Sequence, residues 1–298
     1  MRARLRAAAE GALGRARRRL GRRRVNWTPD FMGFGNHLYL WAWAHAGRDD
    51  EIARRVLVTP KMRYWAELAP DVAREFLLER SEVRLLDQRD YYWARPLEES
   101  GDPRGFTDAS REAFIRECLL PAPLLAGIGS SALAADDVIV LNLRRGDFYS
   151  NPGHLPLHGI DLAAYVRLAV QGSIAADGPA RRLHVVSDDL AWCREALPWL
   201  GHHATEVTYA DPADPPAQNF RDVCSARRLV LSNSTFSMWG AFVSTTLHGD
   251  NAGQVWAPAF FMSSYPEGRC FEYDASWSFV DELRDGWQPD WLIGRTAR

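Results

Sequence analysis

The strongest chemical signal in the sequence is a pair of adjacent arginines directly after an apolar run. The run Asp137–Leu143 reads DVIVLNL, and Arg144, Arg145, Gly146 and Asp147 follow it. The guanidinium fork of N–H donors suits phosphate or carboxylate oxygens, so we expect an anionic ligand. Gly146 lets the backbone approach a diphosphate closely, while Asp147 can orient an arginine, bind a hydroxyl or act as a base. The alternative is a structural Arg–Asp pair that closes the end of a sheet.

A second polar turn follows another short apolar run. Ser232, Asn233, Ser234, Thr235 and Phe236 stand between the strand-like segment 228–231 and an apolar helical pattern. Hydroxyl, amide and backbone N–H groups at a helix start form a site for phosphate oxygens. The same residue types also serve as plain helix N-caps, and that interpretation stays open for Ser232, Asn233 and Ser234.

A third turn carries two adjacent carboxylates. Ser187, Asp188 and Asp189 end the run 182–187 and precede a helical stretch. The carboxylates can accept hydrogen bonds from a guanine ring or from ribose hydroxyls. They can equally cap the helix, and from this segment alone the cap is favoured.

A glycine-rich turn near the N-terminus opens an aromatic helix. Gly33, Gly35, Asn36 and His37 combine close backbone approach with polar contacts to a second ligand. The turn is half of a dinucleotide fingerprint, but the third glycine is missing, so NAD binding is poorly supported.

These turns belong to repeated strand–turn–helix units. Such repeats predict an α/β fold with a doubly wound parallel sheet, whose ligands bind outside the carboxyl ends of the strands. The three turns after residues 143, 187 and 231 should therefore line one crevice. Upstream, Arg54–Thr59 reads as a further strand, and residues 70–120 are expected to be mostly helical.

Composition and charge limit the class of protein. The 298 residues are 47% hydrophobic and 25% charged, which excludes collagen, coiled coils and wholesale disorder. Residues 1–24 hold ten arginines and one glutamate, a charge of +9 against −2 for the whole chain, which leaves −11 for residues 25–298. This arginine-rich head is either disordered or an amphipathic helix that binds an anionic membrane surface. Nucleic-acid binding is disfavoured, because the acidic body repels phosphate.

The sequence has neither a membrane-spanning run nor a secretory signal, so we expect a cytoplasmic protein, held peripherally at the inner membrane face if the head binds lipid. The cysteines Cys118, Cys193, Cys224 and Cys270 stand far apart, which favours reduced thiols over disulfides or zinc. No metal-binding motif is present, and no metal or cofactor is expected.

Taken together, the motifs resemble the family 11 glycosyltransferases, the α-1,2-fucosyltransferases. The likeness spans residues 26–292 and rests on segments in the family's order. These are Gly33-Phe-Gly-Asn36, Asn142-Leu-Arg-Arg-Gly-Asp147, Val186-Ser-Asp-Asp189, Ser232-Asn-Ser-Thr-Phe-Ser-Met-Trp239 and the tail Gln288-Pro-Asp-Trp-Leu292.

The resemblance implies a two-lobed, GT-B-like enzyme with a Rossmann-like parallel sheet in its C-terminal half. Residues 25–135 would form the acceptor-side lobe and residues 136–298 the GDP-sugar-binding lobe. The reaction implied is inverting, metal-independent transfer of L-fucose from GDP-fucose to a cell-surface glycan precursor or lipid-linked oligosaccharide, α-1,2 to galactose.

The resemblance also implies roles for single residues. Arg144 and Arg145 would stabilise the departing GDP, with Asp147 as the third catalytic candidate, either as the base or as support for an arginine. The donor-binding set would be Asn142, Arg144, Arg145, Ser187, Asp188, Asp189, Asn233, Ser234, Thr235 and Phe236. The acceptor or sugar loop would be Gly33, Gly35, Asn36 and His37.

One departure from the family keeps alternatives open. The family has histidine where this chain has Asn142, and asparagine can hydrogen-bond but cannot carry a proton. The alternatives are another GDP-linked sugar, another fucosyl linkage, or a catalytically inactive sugar-nucleotide-binding protein.

Overall fold

The chain forms two compact units, Met1–Ala126 and Gly127–Arg298. The computed structural model describes residues 12–14, 16–17, 20–91, 105–270 and 272–281. Each unit holds a parallel sheet with accompanying helices, which confirms the expected α/β class and its parallel sheet in the C-terminal half. The chain passes between units after Ala126, whereas the sequence analysis placed the boundary after residue 135. The Gln288–Leu292 motif lies outside the described residues.

The first unit is built on a four-stranded parallel sheet with the strand order β3-β2-β1-β4. Its strands are β1 (Arg23–Trp27), β2 (Ala53–Leu57), β3 (Leu77–Leu78) and β4 (Gln88–Tyr91). Its helices are α1 (Phe34–Ala46), α2 (Pro60–Leu68), α3 (Pro70–Phe76) and α4 (Asp108–Phe114), which continues as a π-helix over Ile115–Leu119. Short 3-10 turns lie at Arg80–Glu82 and Pro123–Leu125.

The last two arginines of the head belong to β1. Arg23 donates to both carboxylate oxygens of Asp87, at 3.1 and 2.8 Å, and Arg24 pairs with Asp90. The sequence analysis ended the head after residue 24, because the acidic partners are more than sixty residues away in the chain. Of the head's other residues, 12–14, 16–17 and 20 are helical, 21–22 are in neither helix nor strand, and the remainder lie outside the described residues.

The expectation of mostly helical structure over residues 70–120 is wrong in part. The segments Leu77–Leu78 and Gln88–Tyr91 are edge strands that pair with β2 and β1. Their pairing is long-range and the strands are only two and four residues long, so local periodicity could not indicate them. The strand expected at Arg54–Thr59 is confirmed as β2.

The second unit contains a six-stranded parallel sheet with the order β10-β9-β8-β5-β6-β7. Its strands are β5 (Val138–Leu143), β6 (Ala180–Ser187), β7 (Ala204–Tyr209), β8 (Arg228–Leu231), β9 (Val255–Pro258) and β10 (Ser278–Val280). Its helices are α5 (Gly146–Ser150), α6 (Leu155–His158), α7 (Leu162–Asp177), α8 (Leu190–Ala196), α9 (Pro216–Ser225) and α10 (Thr235–His248). Short 3-10 turns lie at Ile128–Ser130, Ala132–Ala134, Pro198–His202, Ala252–Gln254 and Pro266–Gly268.

Strand β5 lies between β6 and β8, and all six of its residues are buried. Burial on both faces explains why its sequence is a continuous apolar run rather than an alternating one. In register, Asn142 pairs with both Val186 and Leu231, so β5, β6 and β8 end at one edge of the sheet. The three polar turns predicted from the sequence begin at this edge.

No single helix among the described residues is long and apolar enough to cross a membrane, although the bent pair Asp108–Leu119 and Pro123–Ser130 meets the length and composition criteria.

Candidate functional site

The arginine turn after β5 is fixed by a carboxylate from the turn after β6. Asp188 Oδ1 accepts hydrogen bonds from the backbone N–H groups of Arg145 and Gly146, at 2.8 and 3.1 Å. Its Oδ2 lies 2.9 Å from Arg144 Nη1. The guanidinium of Arg144 also pairs with Asp147, one turn further along the chain. Asp188 therefore holds both the backbone and one side chain of the turn.

The lack of a side chain at Gly146 leaves room for this carboxylate. A Cβ on Gly146 would lie 2.4 Å from Asp188 Oδ2, closer than two such atoms can come. The sequence predicts close approach of a diphosphate at this glycine, and among the described residues its close neighbour is Asp188. Asp188 therefore shapes the arginine turn through these contacts, and its contact with a nucleoside stays a prediction.

Arg145 is held by aromatic faces. Its guanidinium carbon lies 4.9 Å from the ring centre of Tyr149 and 4.5 Å from that of Trp192. Its Nε is 3.5 Å from Asp189 Oδ2. Asp189 Oδ1 accepts from the backbone N–H of Trp192 at 3.1 Å and so caps α8, as the sequence favoured. Together these contacts hold a positive charge in a defined orientation.

Asn142 lies below the turn and is buried. Its Nδ2 donates to the Val186 carbonyl at 3.3 Å, and its Oδ1 accepts from Ser237 Oγ at 2.6 Å. Ser237 also lies 3.1 Å from Ser232 Oγ, which in turn accepts from the Arg144 N–H at 2.9 Å. Asn142 thus connects β5 to β6 and to α10.

In the turn after β8, some polar side chains make hydrogen bonds within the protein and others are partly exposed to solvent. Asn233, buried to 1% exposure, donates from Nδ2 to the carbonyls of His158 and Phe261, at 2.8 and 2.9 Å. Ser234 Oγ accepts from the Phe236 N–H at 3.2 Å and caps α10, which bears out the capping interpretation for Ser234. Thr235 and Phe236 are partly exposed at the first two positions of α10.

Two histidines adjoin the arginine turn, and the sequence analysis missed both. His154 Nδ1 lies 3.4 Å from Asp147 Oδ2. The ring of His158 stacks on Phe148, with 4.1 Å between the ring centres, and burial lowers the pKa of His158. The available signal was a pair of histidines four residues apart, shortly after Asp147 in the chain.

The acceptor-loop residues lie in the first unit, at the start of α1. Gly33 is the N-cap, and Gly35 and His37 are buried. Asn36 Nδ2 lies 3.5 Å from Met32 Sδ. Both ring nitrogens of His37 are buried without a hydrogen-bond partner among the described residues. Burial, with a smaller contribution from Lys61, lowers its pKa to about 4. His37 is therefore neutral near pH 7.

Within the described residues, no group of three or more His, Cys, Asp or Glu side chains is arranged to hold a metal ion. Metal independence stays a prediction.

The family match to known proteins lies almost entirely in the second unit. Residues 124–265 match the sequence model described as glycosyl transferase family 11, which confirms the resemblance drawn from the motifs. A curated relative, the α-1,2-colitosyltransferase of Escherichia coli, is 23% identical over 121 residues, which is 38% of this chain and 39% of that protein. The match thus spans about two fifths of the relative's length.

The solved structures that match this chain have low sequence identity to it. The GDP complex of POFUT1 is 12% identical, with a TM-score of 0.44 over 75% of this chain and 95% of that one. The ADP complex of the E. coli heptosyltransferase WaaC is 12% identical, with a TM-score of 0.45 over 86% of this chain and 92% of that one. A family 9 glycosyl transferase from Veillonella parvula gives a TM-score of 0.45 at 12% identity over 94% and 92%.

Proposed function

From the glycosyl transferase family 11 match over residues 124–265, we propose that this chain is an inverting, metal-independent glycosyltransferase. Its donor is GDP-fucose, and its acceptor is a hydroxyl of a cell-surface glycan precursor, joined α-1,2 to galactose. The name of the E. coli relative supports the α-1,2 linkage and makes colitose a second donor sugar to test.

The observation that carries the proposal is the pair of oriented guanidinium groups at the carboxyl end of β5. Departure of GDP leaves negative charge on the diphosphate, and a cation already held in place stabilises that charge without reorganisation. Arg144 is fixed by Asp147 and Asp188, and Arg145 by Tyr149, Trp192 and Asp189. In this proposal the two arginines take the role that a divalent cation has in other transferases.

The start of α10 supplies the second part of the donor site. Backbone N–H groups in the first turn of a 14-residue helix point out of its N-terminus and favour anions. Thr235 is partly exposed there and can add a hydroxyl. Asn233 and Ser234 support this turn through their own hydrogen bonds.

The experiment compares Arg145→Ala with the wild-type chain in chelator-treated buffer, by GDP release from GDP-fucose with and without a galactoside acceptor. Loss of the leaving-group contact should lower kcat about a hundredfold, a loss of about 3 kcal/mol in transition-state stabilisation. Arg167→Ala is the matched control, because Arg167 also stacks on an indole, that of Trp199 at 4.6 Å, and lies on α7. Its kcat should stay within about twofold of wild type.

Two other outcomes would contradict parts of the proposal. If a different GDP-sugar is turned over and GDP-fucose is not, the named donor is wrong. If GDP protects the chain against thermal unfolding but no acceptor in a broad panel is glycosylated, the inactive sugar-nucleotide-binding protein replaces the enzyme.

We also propose a cytoplasmic location, with the acceptor presented on a lipid carrier and the arginine-rich head against the inner membrane face. The charge of +9 in residues 1–24 supports this placement.

A further inference from the structure

We propose that His154 is the general base that takes the proton from the acceptor hydroxyl, and that Asp147 holds it in position. The inference rests on one juxtaposition: His154 Nδ1 lies 3.4 Å from Asp147 Oδ2. Asp147 also binds Arg144, so the imidazole lies beside the oriented arginines. The inference rests on the proposed transferase function and assigns its missing base.

His154 stands in a well-defined turn between α5 and α6. Asn151 organises the turn: its Oδ1 accepts from the Gly153 N–H at 2.8 Å, and its carbonyl accepts from the N–H groups of His154 and Leu155, at 3.0 and 3.1 Å. His154 then caps α6, and its carbonyl accepts from the His158 N–H at 2.9 Å. The backbone that carries the imidazole is therefore fixed relative to Asp147.

The two ring nitrogens of His154 are in different environments. Nδ1 is shielded from solvent and faces Asp147, while the side chain as a whole is 42% exposed. A carboxylate next to Nδ1 favours the tautomer with the proton on Nδ1, which leaves a lone pair on Nε2. An Nε2 lone pair on the exposed part of the ring can accept a proton from a hydroxyl that approaches from solvent.

The carboxylates of the site are otherwise engaged. Asp147 Oδ1 accepts from Arg144, and its Oδ2 lies 3.4 Å from His154 Nδ1. Asp188 is bound to the arginine turn through both oxygens, and Asp189 caps α8. These contacts direct the carboxylate oxygens towards groups of the protein itself.

The neighbouring His158 has a different setting. It stacks on Phe148, its ring hydrogen-bonds the Phe261 backbone, and burial lowers its pKa. The titratable groups that face His154 are thus Asp147 and His158, whose ring centre lies 6.4 Å away. Arg144 lies beyond, on the other oxygen of Asp147.

The step balances as a single displacement. The acceptor O–H bond breaks and its proton moves to His154 Nε2, while the acceptor oxygen forms the bond to C1 of the donor sugar. The bond from C1 to the diphosphate oxygen breaks, and its electron pair leaves with GDP towards Arg144 and Arg145. The imidazolium is stabilised by Asp147 and returns its proton to water after the products leave.

The test measures kcat, KM for each substrate and the pH dependence of kcat/KM for wild type, His154→Gln, His154→Ala and Asp147→Asn. Loss of a general base should lower kcat by about a hundredfold or more, with KM for the donor within about threefold. The acid limb of the wild-type profile, which comes from a histidine that loses activity on protonation, should be absent in His154→Gln. Added imidazole should restore part of the rate of His154→Ala, which a purely structural role would not allow.

His202→Gln is the matched control, because His202 is an exposed histidine in the 3-10 turn after α8; its rate and pH profile should equal those of wild type. The inference is overturned if His154→Gln keeps the wild-type acid limb and a rate within threefold, or if imidazole fails to raise the rate of a His154→Ala variant that still binds GDP. Absence of transfer by the wild-type chain itself refutes the proposed function, and this inference with it.

Discussion

At the scale of single residues, Gly146 has little room for a side chain. A methyl group there would lie 2.4 Å from Asp188 Oδ2, which already binds Arg144. We expect Gly146→Ala to displace Asp188, lower the free energy of unfolding by about 1–3 kcal/mol and weaken GDP binding. Urea unfolding and GDP titration measure the two effects.

The matched control for Gly146→Ala is Gly129→Ala, since a Cβ on Gly129 meets nothing within 4 Å. Its stability and GDP affinity should remain at wild-type values. Equal effects of the two substitutions would contradict the assigned role of Gly146.

His37 should make stability depend on pH. Its pKa is about 4 in the folded chain, because burial penalises the charged ring, and about 6.5 in the unfolded chain. The unfolded chain therefore binds the proton first as the pH falls. We expect the stability contribution to be complete above about pH 7 and to be lost between about pH 6.5 and 4, by about 3 kcal/mol in total.

The measurement for His37 is chemical unfolding at several pH values for wild type and His37→Gln. Since glutamine does not titrate, the variant should have a shallower loss of stability over this range. Parallel curves for the two proteins would show that His37 is charged in the folded chain.

How far the sequence could predict the site is clearest from these residues. Arg144 and Arg145 were recognisable because two adjacent cations after a buried strand are unusual in any setting. The hydrogen bond from the Gly146 backbone to Asp188 could not be recognised from the sequence. A carboxylate pair before a helix has the same local pattern whether it caps that helix or binds a turn some forty residues earlier. His154 was missed because its partner depends on how the chain turns between α5 and α6.

At the scale of elements, the hydrogen bond between Asn142 and Ser237 joins β5 to α10. Removing either side chain leaves a buried polar group without its partner, so Asn142→Ala and Ser237→Ala should each cost about 1–3 kcal/mol. The double variant should lose less than the sum of the two, with a coupling of at least about 0.5 kcal/mol.

Urea unfolding of the four proteins in this cycle measures the coupling. Ser130→Ala is the control, because Ser130 is exposed and its hydroxyl donates to the nearby Gly127 carbonyl; it should change stability by less than about 0.5 kcal/mol. Strict additivity of Asn142→Ala and Ser237→Ala would show that this hydrogen bond does not couple the strand to the helix.

The elements themselves were predictable to different degrees. Strands β5, β6 and β8 followed from apolar runs that end in polar turns, and the parallel sheet followed from their repetition with helices. Strands β1, β3 and β4 did not, because β1 begins within a run of arginines and the other two are short edge strands. Their formation depends on pairs such as Arg23 with Asp87, which local sequence cannot show.

At the scale of the whole molecule, exposed apolar side chains lie within and beside the arginine-rich head. Leu20, Leu85 and Leu86 are exposed, and Arg17 Nε donates to the Leu85 carbonyl at 2.9 Å. Cations beside exposed leucines fit an anionic lipid surface. We expect binding to phosphatidylglycerol vesicles that high salt abolishes and that Leu85→Ser weakens, as measured by co-sedimentation.

Equal binding to phosphatidylcholine and phosphatidylglycerol vesicles, or no binding to either lipid, would contradict this expectation. Tyr64→Ser is the control for the loss of an exposed apolar group, since Tyr64 is also partly exposed and lies on α2. It should leave vesicle binding unchanged.

The stacking of Arg145 on Trp192 gives the donor site an optical readout. A guanidinium 4.5 Å from an indole ring centre places a full charge beside a chromophore, and the emission energy of an indole follows the electric field across it. When a diphosphate neutralises Arg145, that field changes, so donor occupancy becomes visible as a shift in intrinsic fluorescence without any label. The Trp192→Phe variant keeps an aromatic ring under the arginine and is the control, which should lose this shift while its other tryptophans still fluoresce.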